Sequence, residues 1–328
     1  MFSEFEIIRR CFDQKGLAAQ TGNIIREGIG DDCALVSVPP GQALALSMDT
    51  LVEGVHFPRD AAPEDIAWRA LAVNLSDLAA TGASPVFFTL GLSLPNADQS
   101  WLEAFANGLG QSAGQYGCYL AGGDTTCGPL TITIQAHGLV RENRAILRSG
   151  ASPGDRIFVT GTLGKAALAL RLFGDKPLAV EEEARSALHS AFYHPQPRLA
   201  AGCSLAEFVS AGLDISDGLL GDLFHICEKS ICGAKVRLND IPIDPLVSDI
   251  LGHDQAQELA INGGDDYELI LTVPTRYEQE FLEAAAKVPV EVTCIGEMTQ
   301  ERTLVCLDTG GNPVEVTRDS YTHFQEKS

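Results

Sequence analysis

The sequence has few basic residues and no long apolar run. Its 23 lysines and arginines face 44 aspartates and glutamates, which gives a formal net charge of −21 over 328 residues. Such a surface repels nucleic-acid phosphates, so the composition argues against nucleic-acid binding. No apolar stretch reaches the ~18 residues of a membrane span. The charged start MFSEFEIIRRCF also lacks the apolar segment of a secretory signal. We therefore expect a cytoplasmic protein with no membrane partner.

Cysteine spacing excludes the usual disulfide and zinc patterns. The nine cysteines are an odd number, are scattered, and never form a CxxC pair. The closest pair, Cys227 and Cys232, lies in DLFHICEKSICG, where apolar helix packing explains both better than metal binding does. We expect the thiols to be reduced and mostly buried.

Two common nucleotide-binding motifs are missing. GTLGKAAL has the Gly-Lys pair of a phosphate-binding loop, but Val159 replaces its first glycine and Ala166 replaces its metal-binding Ser or Thr. GIGDDC places Cys33 at the third glycine of a dinucleotide fingerprint. A nucleotide would therefore have to bind in another way.

The length of the chain and a run of small residues, proline and glycine near its middle predict two domains. A chain of 328 residues is long for one core. The run SGASPGD, which follows Arg148, supplies the small residues typical of a boundary. We predict domains over residues 1–148 and 149–328. Strand and helix patterns mix in both halves, which predicts an α+β class, with a helix over residues 63–80 and a hairpin of residues 34–38 and 43–48 around PPGQ.

Aspartates recur in short glycine- or serine-bearing corners that follow apolar strands. The corners are GIGDDCAL with Asp31 and Asp32, LSMDTL with Asp49, AGGDTT with Asp124, LDISDGL with Asp214 and Asp217, and GGDDYEL with Asp265 and Asp266. A further acid, Asp77, lies inside the predicted helix. A single aspartate often only caps a helix or a turn, and Ser216 or Asp217 could cap the helix that opens at DGLL.

The whole set of acids is harder to explain as caps. Several carboxylates close together cost free energy unless a cation is bound. Oxygen ligands without histidine or cysteine favour Mg²⁺ over Zn²⁺. Glycines beside these acids would let backbone N–H groups approach a phosphate; they are Gly28, Gly30, Gly122, Gly123, Gly263 and Gly264.

In this order, the motifs GIGDDCAL, MDTLVEGVHF, NLSDLAATGA, GGDTT, LRSGASPGD, DISDGL and GGDDYEL resemble those of the thiamine-monophosphate kinases. The resemblance extends from Gly28 to the closing SYTHF. It implies the aminoimidazole ribonucleotide synthetase fold, with two α+β domains and amino-terminal sheets that pair across a homodimer. It also implies that ATP phosphorylates thiamine monophosphate to thiamine diphosphate, with several Mg²⁺ ions, in a cleft between the domains.

The resemblance implies roles for individual residues as well. Because a phosphate-monoester acceptor is mostly a dianion at pH 7, we expect no general base and no covalent nucleophile among them. The implied metal ligands are Asp32, Ser47, Met48, Asp49, Asp77, Asp124, Asp214 and Asp217. The implied ATP contacts are Gly123, Asp124, Arg148 and Ser216, and the implied contacts to the thiamine end are His56, Asp265 and Tyr321. Three positions depart from the family pattern. Met48 stands where threonine is common, so its ligand would be the backbone carbonyl; Cys127 replaces an arginine, and Asp265 replaces a glutamate.

Other interpretations remain open. Selenophosphate and aminoimidazole ribonucleotide synthetases share the implied fold, as does a hydrogenase-maturation dehydratase, which typically ends in a reactive cysteine, whereas this sequence ends EKS. A nucleotide-binding protein without catalytic activity would need few of the acids. His56 could be an ordinary loop histidine, and Tyr321 could seal a core.

Overall fold

The computed structural model describes residues 4–14, 16–173 and 178–316. The chain divides into two compact units. The amino-terminal unit comprises Met1–Leu78 and Ala83–Asn143, and the carboxy-terminal unit comprises Ala79–Gly82 and Arg144–Ser328. Both contain a sheet and helices, so the predicted α+β class is confirmed. Within the described ranges, no helix is long and apolar enough to cross a membrane.

The amino-terminal unit is built on a four-stranded sheet in the order β3-β6-β4-β5, with a separate β1-β2 pair. Its strands are β1 Ile25–Glu27, β2 Leu35–Val36, β3 Gln42–Val52, β4 Ser84–Leu94, β5 Tyr119–Cys127 and β6 Thr131–Arg141. Alternate residues of β6, including Ile132 and Ile134, are fully buried on one face. On the other face, Leu46 and Met48 of β3 are 56% and 60% exposed.

Helices of this unit begin and end at local signals. They are α1 Glu4–Ile7, which continues into a π-helical turn Ile8–Phe12, then α2 Pro63–Thr81 and α3 Gln99–Tyr116. Pro63 opens α2 and is followed by acids in the first turn. Asp98 caps α3 by accepting from the Trp101 amide, and Gly117 ends it in the left-handed conformation. Because α3 crosses over between β4 and β5, these strands run parallel.

The carboxy-terminal unit has a seven-stranded sheet in the order β13-β12-β9-β11-β7-β10-β8. Its strands are β7 Arg156–Thr160, β8 Ala211–Asp214, β9 Gly233–Arg237, β10 Leu269–Val273, β11 Val292–Thr299, β12 Leu304–Leu307 and β13 Pro313–Val314. Its helices are α4 Lys165–Ala169, α5 Glu182–Tyr193, α6 Leu199–Leu205, α7 Leu219–Ser230, α8 Pro245–Leu251, α9 His253–Asn262 and α10 Glu278–Ala285. Every residue of β10 is buried, because two apolar clusters cover the sheet on opposite faces.

The predicted hairpin around PPGQ is wrong. β2 pairs with β1, and β3 pairs along its 11 residues with β6. This long ladder satisfies far more backbone groups than a two-residue partner could. In addition, Pro39 and Pro40 have no N–H to donate to a hairpin.

The expectation that the acids follow strands needs correction at four positions. Asp265 and Asp266 follow helix α9 and precede β10. Asp49 lies inside β3, and β5 continues through Asp124 to Cys127, so both acids are strand residues. Asp214 is the last residue of β8, and Asp217 follows it, as expected. Each of these two edge strands is paired with one neighbour, β3 with β6 and β5 with β4, so the direction of its side chains is set more firmly than in a loop.

Candidate active site

Two carboxylates of the amino-terminal unit face each other across strand β3 and helix α2. Ser47 and Asp49 lie two residues apart on β3, so their side chains point to the same face. The Ser47 hydroxyl donates to Asp77 Oδ2, and the Asp49 amide donates to Asn74 Oδ1 at 3.0 Å. Asn74 and Asp77 are one helical turn apart, so one face of α2 meets one face of β3. The structure therefore brings together three predicted ligand positions.

The electrostatics of this pair favour a bound cation. Burial, together with the nearby Asp77 charge, raises the pKa of Asp49 to about 6. Two carboxylates in a partly buried site disfavour each other's charged form, and a cation between them relieves that cost. The donors are all oxygen atoms, as Mg²⁺ requires, and Mg²⁺ is commonly held by only one or two carboxylates plus phosphate and water. This pair therefore fits Mg²⁺.

Met48 does not contribute its side chain to this pair. It points to the opposite face of β3 from Ser47 and Asp49 and is 60% exposed. Across the described parts of the chain, no three His, Cys, Asp or Glu side chains converge into a metal cage. The protein side chains alone therefore offer a pair of carboxylates here, and the predicted larger ligand set stays a prediction.

Asn74 was missed in the sequence. Its side chain is fully buried, its Oδ1 accepts from Asp49, and its Nδ2 donates to the Ala70 carbonyl at 2.9 Å. A buried amide that is bonded on both sides holds Asp49 at a fixed place relative to α2. The signal was present, since Asn74 is a polar residue among apolar ones, three positions before Asp77.

A second feature of this unit is a cavity of about 610 Å³ between the glycine-rich corners. Residues 28–34 and 120–125 line it, with Thr89, Leu90 and two apolar residues, Ile8 and Phe12, of the π-helical turn that follows α1. Asp32, Gly123 and Asp124 therefore border one space, which is large enough for several groups of a small ligand. Gly123 has a structural reason as well, because a Cβ there would lie 2.0 Å from the Leu90 carbonyl oxygen.

In the carboxy-terminal unit, two corners lie side by side at the ends of β8 and β10. Asp214 is 5% exposed and ends β8. The amide of Asp265 donates to the Ser216 carbonyl at 2.9 Å, and that of Tyr267 to the Ile215 carbonyl at 2.8 Å. Backbone pairing thus brings the predicted ligand Asp214, the predicted ATP contact Ser216 and the predicted substrate contact Asp265 together.

The possibility that Ser216 or Asp217 merely caps α7 is not borne out. The N-cap residue is Gly218, without a side-chain cap. Instead, Asp222 reaches back from the first turn, and its Oδ2 accepts from the amides of Ser216 and Asp217, both at 3.0 Å. Burial raises the pKa of Asp222 to about 6, although these amides lower it. Asp222 is a second residue that the sequence interpretation missed, because an acid in a first helical turn is ordinary.

Three predicted residues remain. His56 accepts from the Val52 amide through Nδ1 at 3.0 Å, so its neutral ring carries the proton on Nε2, as a donor. Arg148 has an exposed side chain, and its carbonyl accepts from the Ser230 hydroxyl at 3.2 Å. Tyr321 lies outside the described residues.

Both units match known families. Residues 30–140 match the family described as AIR synthase related protein, N-terminal domain, and residues 152–307 match AIR synthase related protein, C-terminal domain. The thiamine-monophosphate kinase of Escherichia coli (strain K12) is 42% identical over 321 residues, which cover 98% of each chain.

Solved structures agree. The crystal structure of thiamine-monophosphate kinase from Stenotrophomonas maltophilia K279a has a TM-score of 0.81 at 39% identity, and the match covers 92% of this chain and 94% of that one. A complex of AaThiL with AMPPCP and TMP has a TM-score of 0.76 at 30% identity, with 90% and 92% covered. These likenesses confirm the fold type that the motifs implied.

Proposed function

The chain belongs to the thiamine-monophosphate kinase family of AIR synthase related proteins, and we propose that it transfers the γ-phosphate of ATP to thiamine monophosphate. The products are thiamine diphosphate and ADP. Support comes from relatives that span nearly its whole length and from a relative solved with AMPPCP and TMP. In this chain, the observation that carries the proposal is the facing pair Asp49 and Asp77, because phosphoryl transfer needs cations beside the phosphates.

We propose Mg²⁺ as the cation, held in the first place by Asp49, Asp77 and the Ser47 hydroxyl. The further candidate ligands are Asp32, the Met48 carbonyl, Asp124, Asp214 and Asp217. When bound, Mg²⁺ neutralises phosphate charge and orients the reacting oxygens. Asn74 and Asp222 hold the backbones of Asp49 and of Ser216 and Asp217 in place.

Nucleotide and acceptor contacts divide between the two units in this proposal. Gly123 and Asp124 border the cavity of about 610 Å³, which has room for part of ATP. Arg148 and Ser216 supply a cation and a hydroxyl for phosphate oxygens. His56, Asp265 and Tyr321 contact the thiamine end, with His56 donating through Nε2. Residues 1–148 thus contain most of the metal ligands, and residues 149–328 complete the set.

The acceptor's own chemistry makes a general base unnecessary. A phosphate monoester has a second pKa near 6, so most of it is a dianion at pH 7. The obstacle is repulsion between this dianion and the ATP tail, which positioned charges and N–H groups must offset while they align the attack. We therefore propose direct in-line transfer, in which no aspartate is phosphorylated.

The open face of the amino-terminal sheet supports a homodimer. Leu46 and Met48 project from β3 on this face and are 56% and 60% exposed. A second copy of the chain would cover such apolar side chains. Nine free thiols, five of them buried, fit a reducing compartment, and we propose the cytoplasm.

The deciding experiment supplies Mg-ATP with a panel of phosphomonoesters and measures ADP release. We expect release that depends on thiamine monophosphate and on Mg²⁺. ATP binding without ADP release for any acceptor would favour a nucleotide-binding protein without catalysis. Release with another acceptor alone would reject the substrate assignment.

Stereochemistry tests the direct transfer. Chirally labelled γ-phosphate should be inverted in thiamine diphosphate, because a single displacement inverts phosphorus. Retention of configuration, or an aspartyl-phosphate trapped with ATP alone, would instead require a two-step route.

A further inference from the structure

The segment of residues 263–268, which leads into β10, contains two non-glycine residues in the left-handed backbone region. Asp265 has a φ of 67° and Tyr267 a φ of 52°. Side chains with a Cβ disfavour this region, above all bulky ones, and they stay there only where the surroundings impose it. Neighbouring groups must therefore hold this segment in place.

Glu268 anchors one end of the segment. Its carboxylate accepts from Arg198 through Nε, at 2.6 Å, and through Nη2. Thr160 Oγ1 donates to the same carboxylate at 2.6 Å and accepts from the Leu269 amide at 2.8 Å. Gly161 lies against it so closely that a Cβ would stand 2.1 Å from Oε1. The buried charge is thus paired within the protein, as a fixed support requires.

Asp266 anchors the middle of the segment. Its two carboxylate oxygens accept from the Gly164 amide, at 3.0 Å for Oδ1 and 2.9 Å for Oδ2. Gly161 and Gly164 are the glycines of GTLGKAAL, the sequence that resembles a phosphate-binding loop. Here the Gly164 amide binds a carboxylate of its own chain, and Gly161 leaves room for a second one, Glu268.

Asp265, which precedes Asp266, contacts Tyr267, which lies between Asp266 and Glu268. The Tyr267 hydroxyl donates to Asp265 Oδ1 at 3.0 Å. Asp266 and Glu268 therefore reach toward the loop of residues 160–164, while Asp265 and Tyr267 form a separate pair. We propose that Asp266 and Glu268 are positioning residues, which hold Asp265 and Tyr267 in the orientation that binds the thiamine end of the acceptor. This inference rests on the proposed function.

The hydroxyl of Thr160 allows a mild test. Thr160→Val keeps the shape and removes both the hydrogen bond to Glu268 and the one from the Leu269 amide, whereas Thr160→Ser keeps the hydroxyl and both bonds. Thr162→Val is the matched control, because Thr162 lies in the same loop and donates to another carboxylate, Asp244, at 3.0 Å. KM for each substrate, kcat and Tm are measured for all variants and the wild type.

For Thr160→Val, we expect KM for thiamine monophosphate to rise about tenfold, with kcat and KM for ATP within about twofold of the wild type. The thiamine end is remote from the transferred group, so its contacts are lost equally from ground and transition states. Thr160→Ser should restore KM, and Thr162→Val should leave it unchanged. A purely structural role would lower Tm and leave KM as it was.

Arg198→Lys keeps the test open if Thr160→Val does not fold. Lysine retains the charge but loses the two-point contact with Glu268, so the same rise in KM is expected. Wild-type KM in a folded Thr160→Val or Arg198→Lys protein would overturn the inference. A fall in kcat with an altered Mg²⁺ dependence would also overturn the inference. It would show that the contacts of Glu268 with Arg198 and Thr160 instead position the corner of residues 214–217. If the wild type itself lacks ADP release with thiamine monophosphate, the proposed function fails, and this inference fails with it.

Discussion

Asp49 in the amino-terminal unit and Glu268 in the carboxy-terminal unit are both shielded acids, but they have opposite partners. Asp49 faces another acid, so burial and Asp77 together raise its pKa to about 6. Burial also raises the pKa of Glu268, but Arg198 and Thr160 act against that rise by bonding the charged form. An acid beside an acid is suited to bind a cation, and an acid beside a guanidinium is suited to hold the fold.

The largest effect should come from Asp77→Asn. We expect kcat/KM to fall at least ~10⁴-fold, or about 5 kcal/mol, because asparagine lacks the charge that a metal bridge requires. The fold should persist, since asparagine is nearly isosteric and the repulsion with Asp49 disappears. Steady-state kinetics and Tm measure both.

Asp98→Asn is the control for Asp77→Asn. It removes one charge from the same unit but keeps the cap of α3, because asparagine caps equally well. If Asp77→Asn keeps the wild-type kcat at an ordinary Mg²⁺ concentration, Asp77 is a structural residue. The contrast between Asp49 as a cation-binding acid and Glu268 as a structural acid would then fail.

Arg198→Met should instead reduce stability. It leaves Glu268, whose side chain is 5% exposed, without its cation. The free energy of unfolding should fall by about 3 kcal/mol, because a buried charge without a partner is costly. Urea denaturation measures the change, and Glu268→Gln in the same chain should recover part of it. An unaltered unfolding curve would show that the ion pair does not hold this unit.

The pH dependence of stability sharpens the contrast. The folded pKa of Asp49, about 6, lies above the unfolded value of 3.8, so the metal-free folded state binds the extra proton. The contribution of this proton to the stability of the folded state is fully present below pH 3.8 and is lost as the pH rises through 6. Relative to the Asp49→Asn variant, the wild type should lose roughly 1–2 kcal/mol between pH 4 and pH 7, after a discount for solvent. Parallel pH profiles for the two proteins would contradict the raised pKa.

Cys127→Ser should have the smallest effect, because Cys127 belongs to neither group. Its thiol is exposed and lies 3.9 Å from the Pro95 carbonyl oxygen, a contact that a serine hydroxyl can also make. We expect kcat/KM within a few-fold of the wild type. A loss of more than about tenfold, or 1.4 kcal/mol, would indicate a role near the phosphates.

Local signals in the sequence predicted much of the fold. The helix predicted over residues 63–80 is α2, and its opening proline and acids act within one turn, so neighbouring residues suffice to define its start. The apolar strands and the α+β class followed from periodicity. The ordered acidic motifs also identified Asp49 and Asp77 as candidate ligands before any contact was known.

Only the tertiary structure decided which segments and side chains meet. β3 lies next to β6, far along the chain, and a local hairpin signal cannot reveal such a pairing. Glu268 finds Arg198 and Thr160 at separations of 70 and 108 residues, while Asp49 finds Asp77 on a different element. In the sequence, Asp49 and Asp77 are single carboxylates in apolar segments, and Glu268 is the third acid of GGDDYEL. The role of each acid depends on the charged group that lies a few ångströms away in the fold. The order of residues in the chain does not reveal which group that is.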